Sequence, residues 1–213
     1  MVNEVWVSTV MNAEAAQSGF VFYRYEEQQE DAALSAKAEA LSKTLLDVFA
    51  NKPFSDNDYP KRLVWHSRTK KKFDGLPPVS LHGFLLLRAD VAKIFARHDL
   101  GETQLVPVDL YDRDNESKFD DQAFLLVPRG GQKTIDTTEA VSGLRKIRHT
   151  DPPRFFLGGV EADLSQLRTI QMPKNTPACW MDPNIPNALF LSGALVNDLH
   201  AAGHSKDFYL TNI

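Results

Sequence analysis

Most of the chain is divided into short segments in which apolar residues alternate with polar ones or form brief runs. Such segments are typical of β strands, especially where β-branched and aromatic side chains are enriched. The pattern predicts strands at 5–10, 20–25, 61–66, 85–87, 105–111, 123–127, 155–160, 167–172, 178–181, 189–191 and 207–210. A shorter strand followed by a turn is predicted at 134–139.

Three other segments repeat their apolar residues every three or four positions, which places those residues on one helix face. This spacing predicts helices at about 31–50, 89–99 and 193–202. The hydroxyl of Ser192 is suited to cap the third helix. Gly101 and Gly203 are suited to the C′ position that follows a helix. The second and third helices each lie between two strands, so the chain contains two similar strand–helix–strand elements.

These elements predict an α+β fold in which a mostly antiparallel sheet packs against a few helices. The length of 213 residues fits one or two domains. We expect a single compact domain over 1–213, because no segment resembles a long linker. The two strands and the helix within 1–60 are also compatible with an N-terminal strand–strand–helix subdomain.

The composition and charge of the chain disfavour some classes of function. The chain is 43% hydrophobic and 24% charged, as in ordinary globular proteins, and has a formal net charge of −4. An acidic balance disfavours binding to nucleic-acid phosphates as the main activity. The apolar runs are far shorter than the ~20 residues that span a bilayer, so no membrane partner is expected. Because the N-terminus lacks a signal-peptide pattern and Cys179 is the single cysteine, the expected location is the cytoplasm.

The motifs of catalytic and metal sites are incomplete in this sequence. His200 and His204 have the spacing of two ligands on one helix face, but a helix end at Gly203 separates them and no third ligand is evident. The glycine pairs at 130–131 and 158–159 lack the further residues of phosphate-binding loops. The sequence therefore predicts no catalytic, cofactor-binding or metal-binding residues, and no cofactor.

Charged residues are concentrated in three places. Two are basic, namely the run 68–72, which indicates a solvated loop, and a cluster formed by Arg145, Lys146, Arg148 and Arg154. The third is a predicted hairpin-like loop with six carboxylates: Asp109, Asp112, Asp114, Glu116, Asp120 and Asp121. Exposed carboxylates ionise together, which disfavours acid–base catalysis. They indicate a solvated loop or an anionic surface for a basic protein partner.

The order of motifs in the C-terminal two-thirds is distinctive. Leu105-Val106-Pro107-Val108 is followed by the acidic loop, by Phe124-Leu125-Leu126-Val127, and by Thr134-Ile135-Asp136 with Ser142 six positions on. Leu189-Phe190-Leu191-Ser192, a helix over 194–202 and Asp207-Phe208-Tyr209-Leu210 complete it. Over roughly 80–213 this order resembles a bacterial family, formerly a domain of unknown function, of immunity proteins from polymorphic toxin systems. The chain departs from the family pattern at Ser205-Lys206, where a glycine is common, and at Cys179-Trp180-Met181-Asp182, where an Ile-Phe-Arg-like strand is common.

The resemblance implies an immunity protein that binds and neutralises a cognate toxin domain by protein–protein contact, without catalysis. It transfers no functional residue, because the matching positions are structural: Ser192 as a cap, and Phe190 and Phe208 as core. For a basic toxin, the expected contact residues are the six carboxylates of 109–121. Trp65, Trp180 and Tyr59 are candidate aromatic anchors, but core or ordinary loop packing is the favoured interpretation of each.

Two other function classes compete with this interpretation. An enzyme can assemble its active site from distant residues, for example His149 or Cys179 with a spatial partner. An oligomeric scaffold or regulator is the other class. A deep pocket with a perturbed histidine would favour the enzyme, whereas a large symmetric apolar patch would favour a homo-oligomer.

Overall fold

The computed structural model describes residues 4–13, 22–23, 61–65, 75–82, 84–112, 114, 116–129, 131–138, 142–158 and 163–213. Its contacts divide the chain into two compact units. The first unit contains Met1–Ala13, Lys93–Thr103 and Pro128–Ile213, and the second contains Glu14–Ala92 and Gln104–Val127. The single domain over 1–213 and the subdomain over 1–60 stay predictions.

Strands dominate the described residues. In chain order they are β1 (Val5–Ser8), β2 (Phe22–Tyr23), β3 (Arg62–Trp65), β4 (Val79–His82), β5 (Phe84–Arg88), β6 (Gln104–Tyr111), β7 (Ala123–Val127), β8 (Leu144–Lys146), β9 (Phe155–Leu157), β10 (Cys179–Asp182), β11 (Ile185–Ser192) and β12 (Leu210–Asn212). The α-helices are α1 (Ala89–Phe95) and α2 (Gly193–Ala201), and 3₁₀ turns occur at Val10–Asn12 and Ser205–Phe208. The predicted α+β class, mostly sheet with few helices, is confirmed.

The first unit is built on an antiparallel sheet with the strand order β10-β11-β1-β12. Its core includes Val5, Val7 and Ile135, and the rings of Trp180 and Phe190 stack with centroids 6.0 Å apart. Strands β8 and β9 form a separate two-stranded hairpin, and Leu157 of β9 is fully buried in the same core.

A buried carboxylate ties one segment of the first unit to its sheet. Asp182 is fully buried at a register shift between β10 and β11. One of its oxygens accepts hydrogen bonds from the backbone N–H groups of Thr134 at 2.7 Å and Ile135 at 3.1 Å, and the other accepts from that of Asn184 at 2.8 Å. The indole N–H of Trp180 donates to the Thr134 hydroxyl at 2.7 Å. The charge thus has three backbone donors, which offset its loss of water.

Helix α2 has the termini that the sequence predicts. The Ser192 hydroxyl accepts a hydrogen bond from the backbone N–H of Leu195 at 3.4 Å. At the other end Gly203 adopts a φ of +81°, and the backbone N–H groups of Gly203 and His204 donate to the carbonyls of His200 and Leu199. This is a Schellman ending, in which a left-handed residue lets two orphan carbonyls be satisfied.

The second unit contains a sheet with the strand order β2-β3-β6-β7-β5-β4. Strands β3 and β6 run parallel and the other pairs antiparallel. The core on one side of this sheet includes Leu63, Trp65, Leu86, Leu110 and Leu125. Strands β6 and β7 are joined by residues 112–122, so the acidic loop lies at the end of a hairpin whose strands are anchored in this sheet.

Several sequence predictions need correction. The helix predicted at 89–99 ends at Phe95, because Arg97 and His98 donate to carbonyls three residues earlier, as in a tightening last turn. Gly101, with φ +59°, therefore lies in the turn before β6 and not at the C′ position. The strand predicted at 207–210 is wrong, because a 3₁₀ turn buries Phe208 against Phe95 and the left-handed Tyr209 delays the strand to Leu210.

The remaining predictions have mixed outcomes. The strand at 123–127 and the helix at 193–202 are confirmed to within one residue. The segments 134–136 and 167–172 meet only in an isolated bridge between Ile135 and Thr169. The helix at 31–50, most of the strand at 20–25 and the basic run 68–72 lie outside the described residues. Where the structure describes the chain, it has no helix with the length and apolar character needed to cross a membrane.

Candidate protein-binding surface

The six predicted contact carboxylates lie together on the β6–β7 hairpin, and we call residues 109–121 the acidic hairpin. Antiparallel pairs from Gln104 with Val127 to Val108 with Ala123 form its stem. An isolated bridge between Tyr111 and Lys118 continues the pairing beyond the stem. The apolar residues of β6 and β7 that face the core therefore fix where the charged segment leaves the sheet.

Asp114 shapes the turn at the end of the acidic hairpin. Its carboxylate accepts hydrogen bonds from the backbone N–H groups of Glu116 and Ser117, each at 2.9 Å, and from the Ser117 hydroxyl at 2.6 Å. The backbone N–H of Asp112 donates to the Ser117 carbonyl at 2.8 Å. The hydroxyl of Ser117, followed by the two backbone donors, lowers the pKa of Asp114 below its ordinary value of 3.8. Asp114 is consequently ionised at neutral pH and already engaged within the turn.

We expect the substitution Ser117→Ala to raise the pKa of Asp114 toward 3.8, because it removes the largest cause of the lowered value. A carboxyl-detected NMR titration from pH 2 to pH 6 measures this shift, with the Asp163 carboxyl of the same spectra as the internal control. A carboxyl whose pKa is lowered on folding stabilises the fold above its unfolded pKa, and that stabilisation disappears as the pH falls through the folded pKa. An unchanged Asp114 pKa in the variant would contradict the hydrogen-bonded turn.

Asp109 forms an ion pair inside the acidic hairpin. Its carboxylate lies 2.7 Å from the ammonium of Lys118, and about half of each side chain is exposed. The hydrogen bond with Asp109 raises the pKa of Lys118. An exposed pair of this kind contributes little to stability, but it neutralises part of the negative charge of Asp109.

The other four carboxylates differ in exposure. Glu116 and Asp120 are exposed, and Asp112 and Asp121 are half-buried. The six carboxylates thus lie on the same hairpin, although they have different roles. Asp114 orders the turn, Asp109 is paired with Lys118, and Glu116 and Asp120 present their charge to solvent.

A cleft of about 580 Å³, which the sequence does not predict, lies beside the acidic hairpin. Its apolar lining includes Pro107, Phe119 and Phe124, and its acidic lining includes Asp109, Asp120 and Asp121. Pro107 and Phe124 are register partners on β6 and β7. A proline in a strand is typical of an edge or irregular position, and Pro107 lies where β6 pairs with β7, two residues before the pairing of β6 with β3 begins at Asp109.

The residues considered for catalysis lie in unrelated surroundings. Cys179 is fully buried in β10, and burial raises the pKa of its thiol, so it lacks the thiolate that a nucleophile needs. His149 is exposed in a turn with φ +60°. His200 contacts the hydroxyl of Ser205 at 3.3 Å and His204 contacts Asp207 at 3.4 Å, each with its own partner. Across the described residues, no group of three or more His, Cys, Asp or Glu side chains could bind a metal ion.

For the two tryptophans among the anchor candidates, the structure confirms the favoured interpretation, which is core packing. Trp65 and Trp180 are 1% exposed and belong to the two cores, so neither is available to a partner as the fold stands. Tyr59 lies outside the described residues. The exposed side chains of the acidic hairpin and the aromatic residues of its cleft are the better candidates for partner contact.

Comparison with known proteins adds no family to this geometry. No protein-family model matches the chain, and no curated protein matches it either.

Proposed function

We propose that this protein is an immunity protein that binds a cognate bacterial toxin domain through the acidic hairpin and neutralises it without catalysis. The observation that carries the proposal is the concentration of negative charge on an ordered hairpin. Residues 109–121 contain six carboxylates and two basic side chains, a net charge of −4 that equals the formal net charge of the whole chain. The motif order over roughly 80–213, which resembles immunity proteins of polymorphic toxin systems, agrees with it.

The geometry of the acidic hairpin suits binding in two ways. Its negative charge speeds the encounter with a basic partner, because complementary fields steer diffusion. Its turn is ordered by Asp114 before any partner arrives, which reduces the entropy lost on binding. The adjoining cleft offers apolar surface from Phe119 and Phe124 for a partner side chain.

The same carboxylates are poorly suited to acid–base chemistry. A general acid needs a carboxyl whose pKa is raised by an apolar setting. The hydrogen bonds to Asp114 lower its pKa, and Glu116 and Asp120 are exposed. The proposal also places the protein in the cytoplasm, where a free thiol such as that of Cys179 stays reduced.

An affinity pull-down from the native cells, read by mass spectrometry, tests this function. The tagged wild-type protein is expected to recover one large secreted-type protein in stoichiometric yield, bound through its C-terminal domain. Expression of that domain alone should arrest growth, and co-expression of this protein should restore it. If the bait recovers nothing from cells that make a toxin encoded beside it, the proposed function is wrong.

A further inference from the structure

The hairpin formed by β8 and β9, which we call the basic hairpin (residues 144–157), is a second charged surface that the proposed function does not use. It contains Arg145, Lys146, Arg148 and Arg154, with Asp151 as its single acidic residue. Arg145, Lys146 and Arg148 are exposed, and none of the four basic side chains forms an ion pair with another described residue. By contrast, Lys118 and Arg97 each pair with a carboxylate. The basic hairpin therefore presents uncompensated positive charge.

An aromatic side chain lies among these charges. Phe156 is 37% exposed, and no other large hydrophobic side chain among the described residues is exposed. It is the register partner of Arg145, whose guanidinium carbon lies 5.6 Å from the centroid of the Phe156 ring. Leu144, Phe155 and Leu157 of the same strands pack into the core of the first unit. Because side chains alternate between the faces of a strand, Arg145 and Phe156 share the outward face.

The acidic hairpin has the complementary features. Its cleft combines the apolar Pro107, Phe119 and Phe124 with the carboxylates of Asp120 and Asp121. An aromatic ring flanked by cations matches an apolar cleft flanked by carboxylates, in both charge and apolar character. Every copy of the chain supplies both surfaces at equal concentration.

We propose that this protein self-associates by docking the basic hairpin of one copy onto the acidic hairpin of another. In this contact Phe156 enters the cleft, Arg145 beside it faces the carboxylates of 109–121, and the other cations of the basic hairpin add positive charge around the contact. The contact is heterologous, since the two surfaces differ, and association can therefore continue beyond two copies. The inference stands without the proposed function. If both hold, self-association and toxin binding compete for the acidic hairpin.

Sedimentation velocity of the full chain tests the proposal. At about 30 mM salt the weight-average sedimentation coefficient is expected to rise with protein concentration, and at about 500 mM salt the rise should be largely lost because charges are screened. Phe156→Ser should weaken the low-salt association at least about tenfold, as loss of a central aromatic anchor does. Monomers at every concentration and salt would overturn the proposal.

A charge-swap pair identifies the two surfaces. One variant combines Arg145→Glu, Lys146→Glu and Arg148→Glu, and the other combines Glu116→Lys, Asp120→Lys and Asp121→Lys. Each variant alone should be monomeric, because its two hairpins then have the same sign, and a 1:1 mixture should associate again. A far-UV circular dichroism spectrum checks that each variant is folded.

The matched control reverses three exposed lysines outside the basic hairpin: Lys133→Glu, Lys174→Glu and Lys206→Glu. It should associate as the wild-type protein does. If the control also becomes monomeric, or if the mixed charge-swap variants fail to associate, the proposed contact is wrong. Binding of a fluorescent single-stranded oligonucleotide to a protein that stays monomeric would assign the basic hairpin to nucleic acid and overturn the proposal.

Discussion

Replacing Asp182 with alanine is expected to lower the free energy of unfolding by about 3–5 kcal/mol, because it leaves buried backbone donors without an acceptor. The carboxylate accepts from Thr134 and Ile135 through one oxygen and from Asn184 through the other. Thr134 and Ile135 are themselves fully buried, so water cannot replace the lost acceptor. Urea denaturation followed by far-UV circular dichroism measures the change.

A matched control distinguishes the loss of a buried acceptor from the loss of any aspartate that accepts hydrogen bonds from the backbone. Asp163 also accepts two hydrogen bonds, from the backbone N–H and the hydroxyl of Ser165, but it is exposed. Asp163→Ala should therefore have a much smaller effect, because solvent can reach the freed donors. Equal destabilisation by the two variants would contradict the role assigned to the buried carboxylate.

The conservative variant Asp182→Asn keeps the test decisive if the alanine variant does not fold. Asparagine has the same shape, but its single carbonyl oxygen can serve only one side of the site, and its amide N–H₂ faces the donors on the other. An intermediate loss of stability is expected. Full wild-type stability in the asparagine variant would show that the carboxylate's second oxygen contributes nothing.

The hydrogen bonds of Asp182 also show why local sequence patterns cannot predict contacts between residues that are distant along the chain. The strand at 123–127 could be predicted because its apolar residues are consecutive in the sequence. The helix that follows Ser192 could be predicted because its apolar spacing and its capping residue are also local in the sequence. The donors to Asp182 come from Thr134 and Ile135, more than 40 positions away along the chain. No periodicity connects such residues, so the sequence at 179–182 gives no sign that Asp182 is a buried hydrogen-bond acceptor.

Helix ends show the same limit. The end of α2 follows from Gly203, whose left-handed backbone is a local property. The end of α1 at Phe95 does not follow from the apolar spacing of 89–99. Just beyond this end, His98 contacts Asp198, with 3.0 Å between the imidazole Nε2 and the carboxylate. The two residues of that contact are 100 positions apart in the sequence, so the apolar spacing of 89–99 cannot predict it.

The candidate surface divides in the same way. The clustering of six carboxylates between Asp109 and Asp121 is visible in the sequence, and the structure confirms that they lie on one hairpin. The sequence could not show that Asp114 is engaged by Ser117 or that Asp109 is paired with Lys118. Those distinctions decide which carboxylates a binding experiment should change.

Reversing the charge of Glu116, Asp120 and Asp121 to lysine is expected to slow association with the proposed toxin domain by about tenfold to a hundredfold at low salt. These three positions leave the Asp114 turn and the ion pair between Asp109 and Lys118 in place, so the hairpin should keep its shape. Stopped-flow or surface-binding kinetics at nanomolar protein measure the rate. The wild-type rate should fall with rising salt, and the variant's rate should depend on salt much less, since screening acts on the charges that were removed.

The control for this last experiment changes the net charge equally but outside both hairpins, with Glu4→Lys, Glu102→Lys and Asp163→Lys at exposed positions. Its association rate should fall much less, because steering depends most on charges beside the contact surface. An unchanged rate in the hairpin variant would remove the acidic hairpin as the contact surface and leave the immunity function to another one. Equal slowing in both variants would mean that net charge alone governs the encounter, and the partner's footprint would then have to be sought through dissociation rates, which report the contacts formed after docking.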